Sequence, residues 1–343
     1  MPQPTLSDVH VNALLSNLSL MYTQEEENFV ATRVFPIVPV QKASDRYVVY
    51  SRADFNRNTM RKRAPSTESA GGGYNLDNTP TYSVDVWALH KDIDDQIRAN
   101  ADAVLNLDLE ATRWLTVQYL ISKEIDWATN FFAPALWTTN ITGVSTAPTA
   151  GQVLQWNQAS STPIKDIRAA KQTVQLASGG FRPNKLVLGR PVFDVLCDHP
   201  DFIDRIKYGQ TAPGPAQVTR NTMAQIFELD EVLVMDGILN SGVEGAAPDS
   251  GGTLNANELN AFIGGGGGKA ALLTYTPSAP GLMIPGSGFT FAWTGYFGAT
   301  VAGTRIGNFY IPQVKSMRME IEAAYVHKLA GKDMGAFFAT VVA

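Results

Sequence analysis

Residues 46–73 read RYVVYSRADFNRNTMRKRAPSTESAGGG, and residues 81–90 read TYSVDVWALH. The first stretch opens as a strand, with β-branched and aromatic residues at Tyr47, Val48, Val49 and Tyr50. The second alternates, with Tyr82, Val84, Val86 and Ala88 expected on one face. Between the strand candidates 46–53 and 81–90 lie about 27 residues almost without large apolar side chains, a loop length uncommon inside a compact domain. Drawn out as a hairpin, 46–90 has arms of roughly 65 Å at about 3.3 Å per residue. A folded chain of 343 residues has a radius of gyration near 20 Å. Such a hairpin leaves its own subunit, and a lone two-stranded ribbon is marginal in water. The support it needs is expected to be a neighbouring copy.

Composition narrows the classes. The chain is 45% hydrophobic and 17% charged, with 29 Gly and 19 Pro. That is globular with low charge, so much of the surface is neutral and loop-like. No apolar run reaches the ~18 residues of a membrane span, and the first residues lack the pattern of a secretory signal. A single cysteine, Cys197, excludes a disulfide framework and any multi-cysteine metal site. The net charge of −5 argues against a strongly basic nucleic-acid binder, yet it is unevenly spread. Arg52, Arg57, Arg61, Lys62 and Arg63, opposed only by Asp54, put +4 into residues 52–63 and leave −9 for the remainder. This cluster reads as a solvated loop, a nucleic-acid contact, or a docking surface for an acidic patch on a neighbour. Phe55 is its only aromatic, which weakens the nucleic-acid reading.

Other elements follow from spacing. Thr23 and Glu26 fit a capping box before Phe29, Val30 and Val34. Phe35-Pro-Ile-Val-Pro-Val is extended, because residues before proline avoid the helical region. Asp92-Ile-Asp-Asp-Gln-Ile-Arg reads as a short polar helix. Leu107, Ala111, Trp114, Val117, Ile121, Ile125, Ala128 and Phe132 form an apolar stripe, predicting a helix over 107–132 about 39 Å long. Residues 138–162 read as connection. From 163 to about 238, helices and short strands alternate. Ser316–His327 alternates strictly, Met317, Met319, Ile321, Ala323 and Tyr325 against Ser316, Arg318, Glu320 and Glu322, as in a strand with one buried face. Met334–Val342 reads as a last apolar strand.

No catalytic, cofactor or metal constellation emerges. Gly264–Ala270 looks like a phosphate loop, but Ile263 stands at its first glycine position and Ala270 where a magnesium-binding hydroxyl belongs. His10, His90, His199 and His327 are scattered, and Cys197 sits among apolar residues. Asp92, Asp94 and Asp95 suit a helix start.

The order of elements resembles the major capsid proteins of tailed bacteriophages. It runs arm, long polar hairpin, long helix, inserted α/β block and closing strands. The stretches Leu14-Leu-Ser-Asn-Leu-Ser-Leu, Phe29-Val-Ala-Thr-Arg-Val-Phe-Pro-Ile-Val-Pro-Val and Tyr50-Ser-Arg-Ala-Asp-Phe-Asn-Arg carry the likeness. The resemblance implies the α+β HK-ninety-seven-type capsid fold, which encapsulin nanocompartments share. It implies an N-terminal arm (1–45) and an extended loop (46–90). A peripheral domain (91–159) with its spine helix (107–132), an axial domain (160–299) and peripheral closing strands (300–343) follow. Copies are expected to assemble as hexamers and pentamers into an icosahedral virion head around double-stranded DNA, in the host cytoplasm. Contact with DNA is expected to be non-specific and the protein non-catalytic, without cofactor or membrane. Arg52, Arg57, Arg61, Lys62 and Arg63 become inter-subunit contacts. Scaffold, portal and decoration proteins are further expected partners, any scaffold being separate because only about 45 residues precede the hairpin. The alternatives are an encapsulin-like shell and an α/β enzyme built on 163–238.

Overall fold

The strict alternation at 316–327 becomes the long strand Ser316–Leu329. It pairs antiparallel with Asp85–Asp94, from Ser316 opposite Asp94 to Tyr325 opposite Asp85, and with Thr304–Ile311. Further along it meets Gly288–Trp293, which pairs in parallel with Ile37–Val40. Opposed residues share a face, so Met319 and Ile321 turn to one side together with Ile93. There they pack on Ala111 and Leu115 of the helix Leu107–Phe131. On the other face Arg318 holds Asp92 through two hydrogen bonds of 2.7 and 2.8 Å.

The computed structural model describes residues 23–101, 105–209, 218–242, 260–264, 268–281, 283–297 and 301–343. The arm residues Leu14, Leu15, Leu18 and Leu20, and glycine-rich residues 243–259 and 265–267, lie outside the described residues.

A second, six-stranded sheet runs in the order Glu231–Met235, Lys185–Gly189, Ala271–Thr274, Gly335–Ala339, Thr139–Val144 and Gln152–Leu154. Its first four strands are buried on both faces and read accordingly as continuous apolar runs. Leu186, Leu188, Val232, Val234, Leu273 and Phe338 pack under the helices Pro163–Ser178, Arg190–Cys197 and Arg220–Phe227. Val187, Leu233, Met235, Leu272 and Phe337 face Trp127, Phe132 and Phe35. The C-terminal strand Gly335–Ala339 thus sits in this sheet, while Gly288–Trp293 belongs to the other.

Five expectations are corrected. The buried stripe of the long helix is Ala111, Leu115, Leu120, Lys123, Glu124, Trp127, Ala128 and Phe131, with Trp114 exposed. The two buried charges broke the apolar periodicity. Asp92 and Asp94 are in strand, and the helix Asp95–Asn100 begins after them, with Asp94 accepting the Gln96 N–H at 2.7 Å. The Thr23–Glu26 capping box is absent; a single 3-10 turn, Glu26–Asn28, precedes the one-turn helix Ala31–Val34. Residues 138–162 contain two strands at one end of the second sheet, where little apolar surface is needed. In the 81–90 stretch, Tyr82 and Val84 are buried but Val86 is exposed.

Phe35 joins the chain's beginning to its core. It is fully buried, with ring centroids 5.2 Å from Phe131 and 6.0 Å from Trp127. A Cβ at Gly288 would stand 2.5 Å from its ring, so only glycine fits beneath it. Phe35→Ala is expected to cost about 3–5 kcal/mol, read as a lowered urea midpoint with an unchanged m-value.

Candidate functional site: an assembly surface

The 46–90 segment is a hairpin at its base. Ser44–Arg46 pairs with Thr81–Ser83, and Val49–Tyr50 with Leu76–Asp77. The expected long strand arms are shorter than drawn. A one-turn helix, Arg52–Phe55, follows Ser51, and residues 56–75 are irregular. Asp54 closes this loop by accepting the Asn75 backbone and side-chain N–H groups at 3.0 and 3.1 Å. The Asn75 backbone bond, chiefly, holds the Asp54 carboxyl below its usual range. Tyr50, Phe55 and Tyr74 gather above the last rung, with centroids 5.2 to 6.0 Å apart.

The hairpin root is fastened to its own subunit. The last carbonyls of a helix have no intrahelical partner and attract cations. Arg52 Nη1 donates to the Ala177 carbonyl at 3.0 Å, and Asn56 Nδ2 to the Gly179 carbonyl at 3.2 Å, both at the end of Pro163–Ser178. Gly179 closes that helix at φ 82°. A Cβ there would meet Asn56 Nδ2 at 2.4 Å, so the glycine admits the hairpin as well as the turn. Arg52 also pairs with Asp333, which accepts from Thr138 Oγ1. Burial works against the Asp333 charge, but these bonds outweigh it and keep its carboxyl low.

The five expected contact residues therefore separate. Arg52 is engaged within its subunit. Arg57 lies 3.9 Å from Asp54, and Arg63 Nε donates to the Thr67 carbonyl. Arg61 and Lys62 are exposed and have no ion-pair partner among the described residues. Around them Met60 is 89% exposed, and Phe55, Tyr74 and Leu76 are also bare. Cations beside exposed apolar side chains make a surface suited to another protein. The apolar part was missed in the sequence because its members are scattered singly through a polar stretch.

At the edge of the 163–238 block, the site of the enzyme alternative, lies a suggestive pair. Ser161 Oγ lies 2.9 Å from His199 Nε2, and both residues are buried. His199 Nδ1 accepts the Asp201 backbone N–H at 3.1 Å, so Nε2 carries the proton. A nucleophile's base needs the opposite arrangement, with Nε2 free to accept. Lys171, pushed down to about 8 by burial, donates to the Phe227 and Glu228 carbonyls at 2.6 and 2.8 Å, capping Arg220–Phe227. Burial pushes the Cys197 thiol up, away from the reactive thiolate. Among the described residues no three His, Cys, Asp or Glu gather to hold a metal, and no helix is long and apolar enough to cross a membrane.

No protein family model matches the chain. It is 22% identical over 230 residues to the major capsid protein of Burkholderia phage BcepMu, a match covering 66% of this chain and 69% of that protein. A phage-related protein from Bordetella bronchiseptica RB50 superposes with a TM-score of 0.64 at 20% identity, over 93% of this chain and 94% of that one. The capsid of cyanophage P-SCSP1u gives 0.58 at 10% identity, covering 98% and 95%. The SrpI encapsulin of Synechococcus elongatus PCC 7942 gives 0.55 at 11%, covering 100% and 98%. The fold is the α+β HK-ninety-seven-type capsid fold expected from the order of elements.

Proposed function

We propose that this chain is a bacteriophage major capsid protein, whose copies form hexamers and pentamers and close into an icosahedral head around double-stranded DNA. The observation that carries the reading is the hairpin. Its root is locked to the subunit, yet its far part presents Arg61 and Lys62, without an ion-pair partner among the described residues, beside the exposed side chains of Met60, Phe55 and Tyr74. A monomeric protein gains nothing from such a projection; a shell subunit uses it to overlap the next copy. The sequence match to a phage capsid protein supports the same reading.

The reading assigns 46–90 to the extended loop, the helix Leu107–Phe131 to the spine of a peripheral domain, and the 160–299 block to an axial domain meeting its copies at symmetry axes. DNA lies inside as cargo held by confinement, so mild acidity of the subunit is no obstacle. Scaffold, portal and decoration proteins would be its further partners, and assembly would take place in the host cytoplasm. An encapsulin-like shell, favoured by the SrpI likeness, differs in what it encloses. Purified full-length protein is expected to show closed shells or capsomers by cryo-electron microscopy. Nucleic acid in shells from phage-producing cells favours the head, and a protein cargo favours the nanocompartment. A monodisperse monomer with a protease-resistant 50–85 segment would defeat both.

A further inference from the structure

A cleft of about 520 Å³ opens between the spine helix and the strand Ser316–Leu329, lined by Asp85, Trp87, Asp126, Asn130, Tyr325 and His327, with Lys328 also on its wall. It is rich in acceptors and poor in occupants. The Tyr325 hydroxyl and His327 Nε2 are buried without a hydrogen-bond partner among the described residues. His327 Nδ1 is already engaged with Thr290 Oγ1 at 2.8 Å, and Nε2 stands 4.0 Å from Asp126. Asp126 accepts from Asn130 Nδ2 at 2.8 Å, and Asp85 has no ion-pair partner among the described residues. Burial, with Asp85 nearby, pushes the Asp126 carboxyl up, and burial pushes His327 down to about 3, leaving a neutral ring.

We propose that this cleft receives the guanidinium of Arg61 from a second copy of the chain. This rests on the shell reading above and names the receiving surface. The cleft offers the Asp85 and Asp126 carboxyl groups at its wall, above the buried Tyr325 hydroxyl and His327 Nε2. A guanidinium supplies five N–H donors in a fixed fork and is more easily desolvated than an ammonium. Trp87 adds an aromatic wall, with its ring stacked 6.3 Å from Tyr325, against which a guanidinium stacks well. Two carboxylates against Lys328 leave the cleft acidic, complementary to the +4 cluster. Arg61 is the arginine of residues 52–63 that has no partner among the described residues of its own subunit. Divalent metal fits less well, since Asp85, Asp126 and His327 line the cleft without gathering into a group that could hold a metal ion among the described residues.

The test uses full-length protein. In a Cys197→Ala background, Asp85→Cys is alkylated with maleimide in free subunits and in shells. The expected result is several-fold slower reaction in shells, with Arg61 intact. Equal rates in well-formed shells overturn the assignment and leave the shell reading standing; a chain that never forms shells overturns both. As a second arm, Arg61→Glu is expected to lower shell yield several-fold, and adding Asp85→Arg is expected to recover most of it. An unaffected single variant, or a swap that recovers nothing, also overturns the assignment.

Discussion

Replacing Arg61, Lys62 and Arg63 together by glutamate is expected to abolish shell formation while leaving the subunit folded. The substitutions turn residues 52–63 from +4 to −2. All three side chains are exposed, and only Arg63 is bonded, locally, to Thr67. Far-ultraviolet circular dichroism and the urea midpoint should therefore match the parent. A single exposed ion pair contributes about 0–1 kcal/mol. Three lost attractions that become repulsions reach roughly 2–3 kcal/mol per contact, and each 1.4 kcal/mol is tenfold in association. Every subunit carries the defect, so shell yield by sedimentation should fall more than about tenfold. The parent should also assemble less well as salt rises through 0.1 M, where the screening length is about 10 Å. Undiminished yield in the triple variant, across salt, would rule out an electrostatic role for the loop.

Much of this architecture could be read from residue pattern, because long elements declare their period. Within Ser316–Leu329 the residues from Arg318 to Ala323 alternate between half-buried and buried, and the helix Pro163–Ser178 begins with proline and ends at a left-handed Gly179. The hairpin was visible for the opposite reason, an absence of apolar residues too long for an ordinary loop. What the pattern hid depended on distant partners. Lys123 and Glu124 lie on the buried side of the spine helix, so a stripe drawn through apolar residues ran along a neighbouring face. The cap of Ala31–Val34 comes from Glu124, more than ninety residues away, and no local capping motif could announce it. Arg52 and Arg61 look alike in sequence. Only the end of a helix at Ala177 and Asp333 separates the anchored one from the free one. Strands such as Thr139–Val144 carry few large apolar residues, because their sheet neighbour Gly335–Ala339 supplies the buried surface.

Glu124 is where the second large effect is expected. Its Oε2 accepts the Val30 and Ala31 N–H groups at 2.9 and 2.8 Å, pinning the start of the described chain to the spine helix. Beside it Lys123 is buried under the rings of Tyr119 and Tyr325, at 5.6 and 5.2 Å. Glu124→Ala strands two buried N–H groups and leaves Lys123 uncompensated, so a loss of about 3 kcal/mol or more is expected by urea unfolding. Glu124→Gln keeps an acceptor and tests the charge alone. Burial raises the Glu124 carboxyl from 4.5 to about 7, against the pull of the Ala31 and Val30 bonds. A folded state that holds its proton longer than the unfolded chain loses stability as pH rises from about 4.5 to 7. His327 works the other way: burial lowers it from 6.5 to about 3, so stability is lost as pH falls through that window. In the parent the two trends oppose each other between about pH 4.5 and 6.5. Removing the Glu124 charge leaves the His327 trend alone, and the glutamine variant should gain more stability than the parent on going from pH 4.5 to 7. Parallel stability curves for the two proteins would mean that Glu124 titrates normally and that its burial is not what sets the clamp.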